Sequence, residues 1–310
     1  MRRSAQWVVA TVMGLMAVTP SGAATRRVGP APVCVREIGS TGATRVTCST
    51  WHRLDPWSRV ATVVATTFHP APTPNVVAYA TWMSSRTSIL ALYPGYLGPG
   101  VTALSRGPEM VPPSARGRLL ATFNSGFYEA DAAAGFYTNH TLYFPMIRGL
   151  ATVVRFASGV VNVVSWSGGP RPGSNVVMAR QNLALLVANG RPTALAANNA
   201  AWGLTLHGVA AVWRSALGVD AAGNLIYAAA AAQTSASLAA VMVELHCVRA
   251  MELDINPEWP IFVAYGGPGA AAPSLFVPNP NQIPSRFLYP STKDFFALFQ
   301  STHPGEAQPW

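Results

Sequence analysis

The sequence predicts an α+β domain of mostly antiparallel or mixed β-sheet with a few helices, one long helix leading into the strand that carries the candidate site. Three observations predict it. Short apolar and β-branched runs recur between Gly, Pro and Asn residues, the punctuation that antiparallel neighbours require. One segment, 235–249, places apolar residues at helical spacing. Directly after it, residues 251–256 alternate between apolar and polar with a period of two. A hydrophobic content of 50% with only 11% charged residues excludes a disordered chain, and the absence of a fixed-period repeat excludes solenoids and propellers.

Taken in order, the first 24 residues read as an export signal. Arg2 and Arg3 precede an apolar run from Trp7 to Val18, Pro20 breaks it, and Ser21 to Ala24 offer small residues for cleavage. That run is too short to span a bilayer. The Ala-rich stretch 226–243 is interrupted by Gln233, Thr234 and Ser235, so membrane contact is expected only through the signal. Residues 25–58 form an N-terminal extension. In an exported chain its cysteines, Cys34 and Cys48, are predicted to pair. The main domain follows over 59–310.

Strands are predicted near 59–66, 76–82, 87–92, 118–123, 150–156, 159–165, 183–188, 209–213, 216–219 and 224–229, with a hairpin turn from Asp220 to Asn224. The helix 235–249 starts at a Thr234 or Ser235 cap and buries Leu238, Val241, Met242, Leu245 and Val248, with Cys247 a buried free thiol. A second helix is predicted near 292–300, and the Pro-rich segment 268–290 as an irregular loop.

The basic residues are 20 arginines and one lysine, Lys293, a ratio assigned here to base composition of the genome. A net charge of +9, about +7 once the signal is removed, favours anionic partners. The arginines are scattered without a basic helix or RNA-binding signature, so nucleic acid is not a predicted partner. The 12 acidic residues say more, because three of them fall within 252–258. A strand here buries Met251, Leu253 and Ile255 and gathers Glu252, Asp254 and Asn256 on its other face. Carboxylates two apart stand about 7 Å from each other, a workable separation for acid and base, or acid and nucleophile, in glycosyl transfer to water. Pro257 ends the strand and sets Glu258 on a loop at its carboxyl end. The same three carboxylates are hard oxygen donors, so a divalent metal is possible; no other cofactor is predicted. Nucleophile-elbow, zinc-protease and paired Cys-x-x-Cys motifs are all missing.

Three segments in one order carry a resemblance: Phe123-Asn124-Ser125-Gly126-Phe127, Arg214-Ser215-Ala216-Leu217-Gly218-Val219, and a helix running into Leu253-Asp254. Across roughly 115–265 the chain resembles the phosphodiester glycosidase family. That family carries an Asn-Gly-Gly turn, an Arg-Thr-Ala-Ile-Gly-like strand and a Leu-Asp-Gly-Gly-Gly-Ser loop at these places. The resemblance implies a secreted hydrolase that cleaves a sugar-1-phosphodiester bond in a cell-envelope or extracellular glycan. It makes Asp254 the essential carboxylate with Glu252 or Glu258 as its partner. Arg214 would bind phosphate, and Asn124, Gly126, Asn256 and Ser215 would bind the remaining substrate. The family's glycine-rich loop is replaced here by Ile255-Asn256-Pro257-Glu258. Because of that departure, the rival is a non-catalytic envelope protein of the same fold that binds an anionic glycan. The enzyme requires Asn124, Arg214, Glu252 and Asp254 to converge on one concave pocket.

Overall fold

The computed structural model describes residues 29–38, 44–99, 107–205, 208–303, 306–307 and 309. The predicted export signal, residues 1–24, lies outside them. Among the described residues no helix is long and apolar enough to cross a membrane.

Three antiparallel sheets share one core. The largest has eight strands in the order β14 (Arg191–Pro192), β13 (Leu185–Ala188), β17 (Arg249–Glu252), β15 (Val212–Val219), β16 (Leu225–Gln233), β5 (Ala78–Met83), β4 (Val63–Phe68) and β3 (His52–Arg53). A five-stranded sheet runs β19 (Ala271–Leu275), β18 (Phe262–Gly267), β7 (Leu119–Asn124), β20 (Phe295–Gln300), β6 (Ser88–Tyr93). A second five-stranded sheet runs β11 (Val161–Ser165), β10 (Ala151–Phe156), β12 (Val176–Gln181), β8 (Phe136–Thr138), β9 (Thr141–Phe144). Met83, Leu92, Phe123, Phe136, Val153, Leu217, Met251, Phe262 and Phe296 meet in the common core.

Strand alternation decides what each face touches. Along β16, Tyr227 and Ala229 enter the common core, while Ile226, Ala228 and Ala230 face helix α2 (Ser235–Glu244), α1 being the single turn Glu129–Ala132. The small side chains on that face let the helix lie close to the sheet. At Gly218 of β15 a Cβ would stand 2.7 Å from the Cys247 sulfur and 2.8 Å from the Arg249 carbonyl oxygen, so the backbone leaves no room for a side chain.

Helix α2 is ten residues long, shorter than the predicted 235–249. Thr234 caps it, accepting from the Ser237 amide while the Ser237 hydroxyl accepts from the Thr234 amide. His246 adopts a left-handed φ of 62° and ends the helical path. The apolar spacing continued because Leu245 and Cys247 are buried outside the helix as well. Cys247 is the buried free thiol, and burial pushes its pKa up. The predicted helix at 292–300 is instead strand β20, the fourth strand of its sheet, between β7 and β6. Its Phe-Phe-Ala-Leu-Phe run is buried on both faces, and such a run has no period that separates strand from helix. The 268–290 segment is irregular except for β19, which pairs with β18, and short 3₁₀ turns.

The N-terminal hairpin joins β1 (Val33–Ile38) to β2 (Thr44–Ser49), and Cys34 and Cys48 are directly opposite and disulfide-bonded. Val33 and Val35 pack onto the α2 layer. Replacing both cysteines with serine is expected to cost up to about 3 kcal/mol, the loop-closure entropy for a link of this length. Urea denaturation of the double variant measures it.

Candidate active site

The site is built at the end of β17. Beyond Glu252 the chain stays paired to β15: the Leu253 amide donates to the Ser215 carbonyl (2.8 Å) and the Ser215 amide to the Asp254 carbonyl (2.9 Å). The Ser215 hydroxyl accepts from the Asp254 amide at 3.2 Å and donates to its carbonyl at 3.3 Å. From the other side, the Asn182 side-chain amide donates to the carbonyls of Glu252 (2.8 Å) and Leu253 (2.9 Å). Two side-chain turns follow. The Asp254 carboxylate accepts from the Asn256 amide (2.9 Å), and the Asn256 side-chain oxygen accepts from the Glu258 amide (3.0 Å). These turns occupy the place of a glycine-rich loop, and no residue from 255 to 258 has a left-handed φ.

Asp254 lies on the floor of a cleft of about 780 Å³ and is only 2% exposed. One of its oxygens accepts from the Lys293 ammonium. That ammonium sits 4.7 Å from the Tyr128 ring centroid and 4.9 Å from that of Trp259, which stand edge to face. Burial raises the Asp254 pKa above its ordinary value, while Lys293 and the amides of Asn256 and Ile255 pull it back. The Tyr128 hydroxyl is raised too, chiefly by burial. Polar lining comes from Tyr128, Asp131, Asp254, Asn256, Glu258 and Lys293, whereas Phe127, Leu183, Leu204, Val209, Val212 and Ile255 supply a largely apolar wall.

The predicted site residues divide into two groups. Asp254, Asn256 and Glu258 line the cleft. Glu252 does not: its carboxylate accepts from Arg214 at 2.6 Å, and both side chains are fully buried. Arg214 also donates to the carbonyls of Gln233 (2.9 Å) and Trp202 (3.2 Å) and to the Asn199 side-chain oxygen (3.0 Å). Its donors are directed at protein acceptors, where the sequence expectation gave it a phosphate. Burial raises the Glu252 pKa by more than Arg214 lowers it. Asn124 lines a small recess beside the cleft and is fully engaged. It donates to the Ser215 hydroxyl (3.0 Å) and the Ser125 carbonyl (3.0 Å), and accepts from Tyr227 (2.9 Å) and the Ile261 amide (3.2 Å). Gly126 packs on Asn182, where a Cβ would meet the side chain at 3.2 Å. Ser215 is buried under the strand end. The four residues required to share one concave pocket therefore join one buried network, but of the four only Asp254 lines the cleft.

The possible metal set is not gathered either. Arg214 takes Glu252 and Lys293 takes Asp254, and among the described residues no three His, Cys, Asp or Glu side chains stand close enough to hold an ion.

Sequence reasoning missed Lys293, Asn182 and the support behind them. Arg180, wholly buried, donates to Asp294 at 2.8 Å and to the Phe127 carbonyl, fixing the neighbours of both Lys293 and Tyr128. A signal for Lys293 was present: a lone lysine among 20 arginines marks a place where a compact ammonium is required and a planar fork does not serve. Lys293→Met would leave Asp254 without its cation. A loss of about 1–3 kcal/mol in stability is expected, read from urea denaturation.

Residues 117–254 match the family model described as phosphodiester glycosidase. No curated protein matches the chain significantly. Among solved structures, the chain is similar to the catalytic domain of zebrafish N-acetylglucosamine-1-phosphodiester alpha-N-acetylglucosaminidase, auto-inhibited by its pro-peptide. That match has 15% identity and a TM-score of 0.46, covering 88% of this chain and 83% of that one. It is also similar to a hypothetical protein from Synechocystis, with 12% identity and a TM-score of 0.45, covering 89% and 69%. The span that ends on the cleft aspartate, residues 117–254, is therefore the part of the chain that is similar to the phosphodiester glycosidase family.

Proposed function

We propose that the protein is an exported hydrolase that cleaves sugar-1-phosphodiester bonds in an envelope or extracellular glycan. The observation that carries this is the buried Asp254–Lys293 pair on the floor of the cleft. In the reaction, water adds its oxygen to the anomeric carbon, the bond from that carbon to the phosphate oxygen breaks, and the proton ends on the released phosphate monoester. The leaving group is already an anion, so it needs a cation nearby more than a proton. Lys293 supplies that charge in a largely desolvated place. Asp254, in its ionised form, serves as base or nucleophile, and Glu258 on the cleft rim is its carboxylate partner. Arg214, Glu252, Asn124, Ser215 and Gly126 hold the strand end. The Cys34–Cys48 disulfide suits an oxidising compartment, which supports export.

Two observations favour the non-catalytic rival: of the four residues required to converge on one pocket only Asp254 lines the cleft, and both Asp254 oxygens are already engaged, by Lys293 and the Asn256 amide. A screen of purified protein across sugar-1-phosphodiesters, reading released reducing sugar, decides between them. Turnover supports the hydrolase; saturable binding without turnover supports the rival. The pH profile is a further check. Because burial raises the Asp254 pKa, the acid limb of kcat/KM is expected above the usual aspartate range near pH 4, with activity lost as pH falls through it. Lys293→Met should move that limb further up, since the cation that favours the ionised form is gone.

A further inference from the structure

The cleft is chemically divided in a way that the proposed hydrolysis does not use. One side holds Asp254, Lys293 and Glu258; the other is an apolar wall of Leu183, Leu204, Val209, Val212 and Ile255. The rim of that wall is unusual for a surface. Leu204 is 98% exposed and Val209 49%, although a leucine gains by burial. Contiguous exposed apolar side chains beside a polar site mark a place that a ligand covers. The volume of about 780 Å³ lies in the upper part of the range for ligand pockets, about 300–1,000 Å³.

We infer that the substrate's phosphate carries an alkyl or isoprenoid chain, so that the cleft takes a lipid-linked sugar phosphodiester with the sugar phosphate at Asp254–Lys293 and the chain along the wall of Leu204, Val209 and Val212. This rests on the proposed hydrolase and names its substrate class. Charge complementarity favours a lipid over a neutral apolar partner: the head group is an anion, the polar end of the cleft holds Lys293, and the net charge stays positive, +9 for the full sequence and about +7 without Arg2 and Arg3. The products would be the free sugar and a monoalkyl phosphate, with water divided between them as above.

Each methylene buried on binding is worth about fourfold in affinity. Octyl phosphate is therefore expected to bind the full chain at least about tenfold more tightly than methyl phosphate, by titration calorimetry below the micellar concentration. Leu204→Glu and Val209→Glu alter exposed rim positions and should fold. In both, the octyl preference should shrink to about fourfold or less, the worth of roughly one methylene. Equal binding of the two phosphates overturns the inference, as does an octyl preference that both variants retain. Hydrolysis of the octyl and methyl esters of N-acetylglucosamine 1-phosphate separates the two proposals. Equal turnover of both esters leaves the hydrolase standing and removes the lipid chain. Chain-dependent binding with neither ester cleaved keeps the apolar subsite and removes the hydrolase. A glycosylated phosphopeptide cleaved better than the octyl ester would assign the wall to a protein aglycone and overturn the lipid.

Discussion

Asp254→Asn is expected to lower kcat on a sugar-1-phosphodiester by about a thousandfold or more, within the range of a lost general base or nucleophile. Asparagine nearly preserves the shape of aspartate. Its side-chain oxygen can still accept from Lys293 or from the Asn256 amide, so the fold should persist. What is lost is the negative charge and the ability to take a proton. Steady-state kinetics on the released sugar, with calorimetric binding of a phosphate monoester on the same preparation, tests the assignment. Wild-type rates in the variant would discard Asp254 as the reacting group. Lost turnover with binding retained is the expected result, provided that the wild type itself turns over. A wild type that binds and never turns over would place the protein with the non-catalytic rival.

The second large effect falls on stability. Arg214→Ala is expected to cost about 3–5 kcal/mol, the usual consequence of leaving one partner of a buried ion pair alone. Arg214 is fully buried and has contacts on four sides: Glu252, the Gln233 carbonyl, the Trp202 carbonyl and Asn199. Asn199 in turn accepts from the amide of Ser235 at 2.8 Å at the start of α2, so removing the guanidinium loosens the cleft wall and the helix together. Guanidinium denaturation of wild type and variant measures the loss. An arginine whose main task was phosphate binding would instead raise KM and leave the midpoint unchanged. The pair also sets a pH slope. Burial raises the Glu252 pKa above its value in the unfolded chain, so over that interval the folded state holds a proton that the unfolded state has released. Stability from this group therefore falls as pH rises from about 4.5 upward, and Glu252→Gln should flatten that slope.

Sequence and structure agree where patterning is one-sided. The alternation of 251–256 put Met251, Leu253 and Ile255 in the core, and all three are buried. It also put Glu252 and Asp254 on the same face, but alternation cannot say whether that face meets a cleft or an arginine. In this fold it meets both: Arg214 stands opposite one carboxylate and Lys293 opposite the next. Long-range partners of this kind are invisible to local spacing. Asp254 and Lys293 are 39 residues apart in sequence, and Asn124 reaches Ser215 across 91. The strand at 295–300 was lost to its own hydrophobicity, since a segment buried on both faces shows no period. With it went the context of Lys293, two residues upstream of that strand.

The position of β20 has a consequence for how the molecule comes into being. It is the last strand among the described residues, yet it sits between β7 and β6, whose residues precede it by roughly 170 to 210 positions. A chain emerging N-terminus first, from a ribosome or through a membrane, therefore exposes two apolar strand edges until residues 293–300 arrive. The same segment delivers Lys293 to Asp254. Closure of the sheet and completion of the site become a single late event, so a truncated or partly emerged chain lacks the ion pair as well as the fold.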